Sequence, residues 1–152
     1  MKFKYHFMSV RLAILMLATA VSVIACATEQ AKKNEVINIV LKEFQIITDI
    51  DHVKAGVVTF RAKNEGNEEH ELVIVKTDLP IDELPMHNGM VMEEKVGDLI
   101  GEIEEFLPNT IEEVTYNLTP GRYVLFCNIV EHEHGVMESH YMEGMRVAII
   151  VE

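Results

Sequence analysis

Short segments of alternating apolar and polar residues, separated by strong turn signals, run through most of this chain and restrict it to a β-rich fold. The clearest segment is 57–63, in which every second residue is apolar. Turn signals such as Thr119-Pro120-Gly121 end the segments, because proline fixes φ and glycine accepts a positive φ. We find no internal repeat and no long helical period. The pattern predicts one all-β domain, an antiparallel Greek-key sandwich of about eight short strands.

Two segments differ from this alternation. Residues 79–98 contain Pro80, Pro85 and many charges, so we expect a long excursion from the sandwich with a helical turn near residues 93–96. Residues 71–76 are almost entirely apolar, which is typical of a strand that is buried on both faces.

The first 25 residues have the basic start and the apolar centre of an export signal. The apolar stretch is shorter than a typical membrane-spanning helix, which needs about 20 apolar residues. The motif Val23-Ile24-Ala25-Cys26 resembles the lipobox of bacterial lipoproteins. This resemblance implies cleavage before Cys26, lipidation of its sulfur, a tether over residues 26–35 and an exported domain over residues 36–152. The protein would then be anchored to the membrane and face the periplasm or the cell exterior. An ordinary signal peptide that is cut nearby is the alternative.

Acidic residues dominate the part of the chain that would remain after cleavage. The whole chain has 13 basic and 25 acidic residues, and residues 1–25 hold three of the basic ones and none of the acidic ones. The remainder therefore carries 10 basic and 25 acidic residues, a formal charge of −15. Such a surface repels nucleic acid and anionic lipid head groups, which excludes both as partners, and it attracts a basic protein or a cation.

The two cysteines of an exported protein would ordinarily suggest a disulfide. If Cys26 carries lipid, however, Cys127 has no partner. Cys127 ends one apolar strand-like run, His70 begins another, and His140 and Met145 precede the last one. One thiolate, two imidazoles and one thioether are the donor set of a blue copper site.

Three segments around these residues resemble the cupredoxins, the plastocyanin- and azurin-like blue copper proteins. Residues 64–74 resemble the strand start with the first ligand histidine, 120–127 the strand that delivers the cysteine, and 140–146 the second histidine and the axial methionine. The resemblance implies a cupredoxin sandwich with one copper ion (Cu⁺/Cu²⁺) per chain. It also implies an electron carrier rather than an enzyme.

The same resemblance implies how such a carrier exchanges electrons. Its redox partner would be a protein such as a cytochrome or an oxidase, and we expect the carrier itself to be a monomer. His140 would be the solvent-side ligand and the electron port, with Tyr141 and Met142 in the docking patch. We also expect the backbone N–H of Glu71, or of a neighbour, to donate to the Cys127 sulfur.

A second histidine and methionine repeat the spacing of His140 and Met145. His132 and Met137 have the same five-residue step and lie closer to Cys127, so they stay open as alternative ligands. We favour His140 and Met145, because Met145 lies directly before the last strand-like segment. That choice leaves residues 128–139 as a loop.

The segment 86–92 is rich in methionine and histidine and suggests a different function. It contains three thioethers and one imidazole, which could bind extra copper together with His132, His134 and Met137. The alternative function is therefore copper buffering or delivery, whereas the purely structural interpretation is a loop in which methionine fills space. We disfavour zinc, because a closed zinc site would have a second cysteine or histidine in place of the methionine.

Overall fold

The computed structural model describes residues 34–152, and these form two β-sheets with two additional hairpins. The predicted export signal, Cys26 and nearly all of the predicted tether lie outside the described residues. Within residues 34–152 no helix is both long and apolar enough to cross a membrane. The strands are β1 (Glu35–Lys42), β2 (Gln45–Thr48), β3 (His52–Val53), β4 (Gly56–Asn64), β5 (His70–Lys76), β6 (Met86–His87), β7 (Met90–Val91), β8 (Asp98–Phe106), β9 (Ile111–Leu118), β10 (Gly121–Phe126), β11 (Val130–Glu133), β12 (Val136–Ser139) and β13 (Arg146–Val151). A short α-helical turn, α1 (His140–Glu143), precedes β13.

The predicted all-β sandwich is confirmed, but its strands are not all antiparallel. One sheet has the order β2-β1-β4-β9 and the other the order β3-β13-β10-β5-β8. β1 runs parallel to β4, and β13 runs parallel to β3, whereas the other pairs are antiparallel. Alternation of apolar residues shows which face of a strand is buried and carries no information about the direction of its neighbour, so the parallel pairs were not predicted.

The strand β5 is buried on both faces, as its apolar sequence predicts. Leu72 and Ile74 point into the core between the two sheets, and Val73 and Val75 belong to a second apolar cluster. This second cluster includes Leu84, Val91 and Val96 of the excursion 79–98. The excursion therefore covers the outer face of the five-stranded sheet.

The excursion is more regular than predicted. Its expected helical turn is present as a 3₁₀ turn at Glu93–Lys95, and β6 and β7 form a small hairpin before it. The hairpin turns at Asn88 and Gly89, which both have positive φ (50° and 84°). Asn-Gly is the residue pair that favours this turn, so the sequence carried the signal.

A buried asparagine fixes the loop that leads from β4 to β5. The Nδ2 of Asn64 donates to the carbonyl oxygens of Glu68 (2.7 Å) and Phe106 (3.1 Å), and its Oδ1 accepts from the N–H of Gly66 (2.9 Å). The Asn64 side chain thereby connects the β4–β5 loop to β8, next to the start of β5.

We predict that Asn64→Ala destabilises the metal-free protein by about 3 kcal/mol, because it leaves buried backbone groups without partners. Urea unfolding measures this free energy. Asn117→Ala on the exposed part of β9 is the matched control, and its effect should be within about 0.5 kcal/mol of zero. Equal effects of the two substitutions would contradict this role for Asn64.

Candidate metal centre

Strand register brings two potential metal ligands to one end of the sandwich. β10 pairs antiparallel with both β5 and β13, and Phe126 lies opposite Val73 and Arg146. The end of β10 therefore lies at the same edge as the starts of β5 and β13. Cys127 follows β10 directly, and His70 is the first residue of β5.

The donor atoms of His70, Cys127 and His140 all lie within 4.8 Å of one another. The two imidazoles face each other with 3.3 Å between their Nδ1 atoms, and the Cys127 Sγ is 3.3 Å from Nδ1 of His140. All three side chains have 0% solvent exposure. The geometry is thus a closed set of two nitrogens and one sulfur.

A single helical turn delivers His140 to this position. In α1 the N–H of Met142 donates to the Oγ of Ser139 (3.3 Å), which caps the turn, and Gly144 ends it with a φ of 128°. The N–H of Met145 then donates to the carbonyl of His140 (2.9 Å).

Met145 is held beside the cysteine by the same backbone. The N–H of Cys127 donates to the carbonyl of Met145 (3.1 Å), and the Met145 side chain is fully buried in the core that also contains Cys127. Both residues therefore belong to the same end of the sandwich as His70 and His140.

The sulfur of Cys127 lies in an apolar environment with two backbone donors. Burial raises the pKa of the Cys127 thiol to about 12, and hydrogen bonds from the backbone N–H groups of Glu71 and Ile129 oppose this rise. The N–H of Glu71, the expected donor, is thus one of the groups that lower this pKa, and that of Ile129 is a second one that the sequence did not indicate. A thiolate at this position requires a bound cation.

The imidazoles are in the form that binds metals. Burial lowers the pKa of His70, with a further contribution from His140, and burial also lowers the pKa of His140. Neutral imidazoles have a lone pair on one ring nitrogen. Two such nitrogens and a soft sulfur, all fully buried, fit copper in either oxidation state.

The expectation that His140 is solvent-exposed is wrong. Its ring is fully buried, Tyr141 is 2% exposed, and only Met142 of the predicted patch is open, at 57%. The half-buried ring of Phe44, from the turn between β1 and β2, packs edge-on against His140 with 5.5 Å between centroids. The Oε2 of Glu68 lies 3.6 Å from Nε2 of His140. Sequence patterns did not reveal this cover, because the covering residues are about 70 or more positions away.

The alternative ligands His132 and Met137 lie elsewhere. Residues 130–139 form the hairpin of β11 and β12 instead of a loop, and His132 is paired with Met137 across it. Both residues are exposed, and His140 rather than His132 lies beside Cys127. The turn at His134-Gly135, with φ of 50° and 83°, was the missed signal for this hairpin.

The methionine-rich segment 86–92 packs against this hairpin. A Cβ on Gly89 would lie 2.9 Å from the Met137 sulfur, and Ser139 donates to the carbonyl of Gly89 (2.6 Å). Met86 packs into the outer apolar cluster, as a space-filling methionine would, whereas Met90 is 48% exposed.

Asn128 is a structural residue that the sequence analysis overlooked. Its N–H donates to Oε1 of Glu71 (2.7 Å), and its side chain exchanges two hydrogen bonds with the backbone of Val91 (2.6 and 3.0 Å). It therefore ties the residue after Cys127 to β5 and to the excursion. A polar residue directly after an apolar run was the available signal.

No protein-family model matches the chain, and no curated protein sequence matches it. Several solved structures, however, match this chain. Dithionite-reduced auracyanin from Roseiflexus castenholzii has a TM-score of 0.55 and 22% identity, covering 78% of this chain and 98% of that one. Auracyanin A, a blue copper protein from Chloroflexus aurantiacus, has a TM-score of 0.53 and 22% identity, covering 79% and 100%. Reduced rusticyanin has a TM-score of 0.52 and 15% identity, covering 79% and 81%. The domain therefore has the cupredoxin fold of these proteins.

We predict that His140→Ala weakens copper(II) binding by about 100-fold or more, because it removes a donor from the closed set. His132→Ala is the matched control, since it removes an exposed imidazole five residues after the cysteine and should leave the affinity unchanged within about twofold. Competition with a chelator of known affinity measures both. The opposite ranking would assign the ligands to His132 and Met137.

Proposed function

We propose that this protein is a mononuclear blue copper protein that transfers single electrons between redox partners. The ligands in this proposal are His70, Cys127, His140 and Met145. The observation that carries the proposal is the closed group of two imidazoles and one thiol at the end of a cupredoxin sandwich. The bound copper would supply a one-electron couple between its two oxidation states.

The chain's own residues explain why such a couple could exchange electrons rapidly. His70 and Cys127 are held by β5 and β10 of one sheet, so their separation is set by strand pairing and not by the metal. The capped turn before β13 fixes His140 and the backbone of Met145 in the same way. A rigid donor set changes little when the charge at its centre changes, and a small rearrangement favours fast transfer.

The surroundings of the site support a carrier rather than an enzyme. His140 is fully buried beneath Phe44 and Glu68, which leaves no open position where a substrate could reach a donor atom. Electrons would instead enter through the half-buried Phe44 ring, which packs against His140. The partner would be a basic redox protein such as a cytochrome or an oxidase, since the chain is strongly acidic.

We further propose that the domain is exported and held at the membrane by lipid on Cys26, facing the periplasm or the cell exterior. The support is the export-signal pattern of residues 1–25 and the lipobox-like motif that ends at Cys26. A lipidated Cys26 would leave Cys127 as a free thiol, and among the residues that the structure describes Cys127 has no disulfide partner. Mass spectrometry of the protein from bacterial membranes tests this assignment.

We predict that the purified domain binds one copper(II) ion per chain and becomes intensely blue, with a reversible one-electron reduction. Cys127→Ser should abolish the blue absorption, because the colour requires the thiolate, while the metal-free domain keeps its fold. Absorption spectroscopy during copper titration and circular dichroism of the metal-free variant measure the two effects. A wild-type domain that binds copper without colour would refute the proposal.

Copper buffering or delivery is the second candidate function, and one contact favours it. The β6–β7 hairpin and the β11–β12 hairpin both carry histidine and methionine, and Gly89 of the first lies against the Met137 side chain of the second. Their thioethers and imidazoles therefore belong to neighbouring surfaces. Under this function the domain would bind several copper(I) ions per chain.

We predict a single copper(I) ion per chain if electron transfer is the function. The substitution Met90→Leu combined with Met137→Leu removes two exposed thioethers while keeping apolar bulk, so it should leave the stoichiometry at one. Metal analysis after equilibrium dialysis measures the ratio. A stoichiometry above one that falls in the double variant would favour copper handling.

A further inference from the structure

The carboxylate of Glu43 reaches the metal centre from the turn between β1 and β2. Its Oε1 accepts from the N–H groups of Asn67 (2.6 Å) and Glu68 (2.9 Å). The same oxygen lies 3.4 Å from Nε2 of His70, whereas the other ring nitrogen, Nδ1, faces His140. Glu43 is therefore a fixed anion beside the first imidazole.

Gly66 makes this close approach possible. A Cβ at Gly66 would lie 2.2 Å from Oε1 of Glu43 and 2.8 Å from Nε2 of His70. Gly66 does not have a positive φ, so the reason for a glycine here is space and not backbone conformation. The loop is thus shaped around the contact between the carboxylate and the imidazole.

The second imidazole has an equivalent neighbour. The Oε2 of Glu68 is 3.6 Å from Nε2 of His140, and Glu138 also offers an oxygen within 4.8 Å of that group. Neither imidazole Nε2 makes a hydrogen bond, although both are fully buried. Both rings therefore present Nδ1 to the centre of the site and Nε2 to a carboxylate.

We propose that Glu43 and Glu68 are positioning residues for copper, an inference that rests on the proposed function. Each carboxylate favours the proton of its imidazole on Nε2, because a proton on Nδ1 would leave a lone pair facing the anion. The Nδ1 lone pairs of His70 and His140 are then directed at the metal. In this arrangement each histidine of the site has a carboxylate beside its Nε2.

The two carboxylates also bias the oxidation state of the metal. Negative charge beside the imidazoles stabilises copper(II) more than copper(I), since the Coulomb energy grows with the charge of the ion. One electron, taken from an external donor, converts copper(II) to copper(I), so the ratio of the two affinities fixes the reduction potential. A tenfold change in that ratio corresponds to about 59 mV.

Glu43→Gln and Glu68→Gln test this proposal, because each keeps the size and an acceptor oxygen while removing the charge. Glu69→Gln is the matched control: it removes one charge from the same loop at an exposed residue. We expect each of the first two variants to bind copper(II) about tenfold or more weakly, with copper(I) affinity nearly unchanged. The reduction potential, measured against a soluble ferricyanide–ferrocyanide couple, should rise by about 59 mV or more. The control should match the wild type.

A second measurement needs no copper. Nitrogen-15 NMR of the metal-free wild-type protein should show His70 with the proton on Nε2, and Glu43→Gln should shift His70 towards the Nδ1 form. Gly66→Ala should shift His70 in the same direction, because the added methyl group would force the carboxylate and the ring apart.

The outcomes separate this proposal from the proposed function. If the wild-type protein is blue and the reduction potentials of Glu43→Gln and Glu68→Gln equal that of Glu69→Gln, the positioning role is overturned. The electron-transfer function would then still stand. A metal-free wild type with the proton of His70 on Nδ1 would overturn it as well, whether or not a variant folds. A wild type that never turns blue refutes the proposed function, and the NMR measurement then still tests the carboxylate–imidazole pairs.

Discussion

The antiparallel pairing of β10 with β5 and β13 is the constraint on which the metal centre depends. Because Phe126 lies opposite both Val73 and Arg146, the end of one strand and the starts of two others meet at one edge. A register shift by one residue would turn Cys127 from the core to the opposite face. The positions of the ligands are therefore a consequence of the sheet, and the sheet is held by apolar residues on both of its faces.

Burial of three polar side chains is costly unless something compensates for it. His70, Cys127 and His140 have no exposure to solvent, and the Nδ1 atoms of the two imidazoles lie next to each other and to the Cys127 sulfur. In the metal-free protein this cost is borne by the surrounding packing and by the Asn64 and Asn128 side chains, which hold the adjoining loops. Metal binding would recover the cost, so the site is most stable in its loaded form.

The sequence sufficed to predict the fold class and the group of three donors, because each signal is local. Alternation identifies strands, and a lone cysteine among strand-end histidines identifies a donor set. The directions of β1 and β3 relative to their neighbours could not be predicted from alternation. The hairpin over residues 130–139 was missed because only Gly135 is a strong turn signal there. Glu43 has no local signal at all, since it meets the loop before His70 through contacts 24 and 25 positions apart.

The cover over His140 combines two requirements that oppose each other. Phe44 and Glu68 exclude water from the imidazole, which keeps the donor set rigid, but they also lengthen the path from the surface to the ring. An aromatic edge in direct contact with the ligand shortens that path more than an aliphatic side chain would allow. The acidic residues Glu131 and Glu138 act on His140 electrostatically, and a Glu138 carboxylate oxygen lies within 4.8 Å of the Glu68 carboxylate beside the ring. A cationic partner would therefore be drawn to the face at which the aromatic contact reaches the ligand.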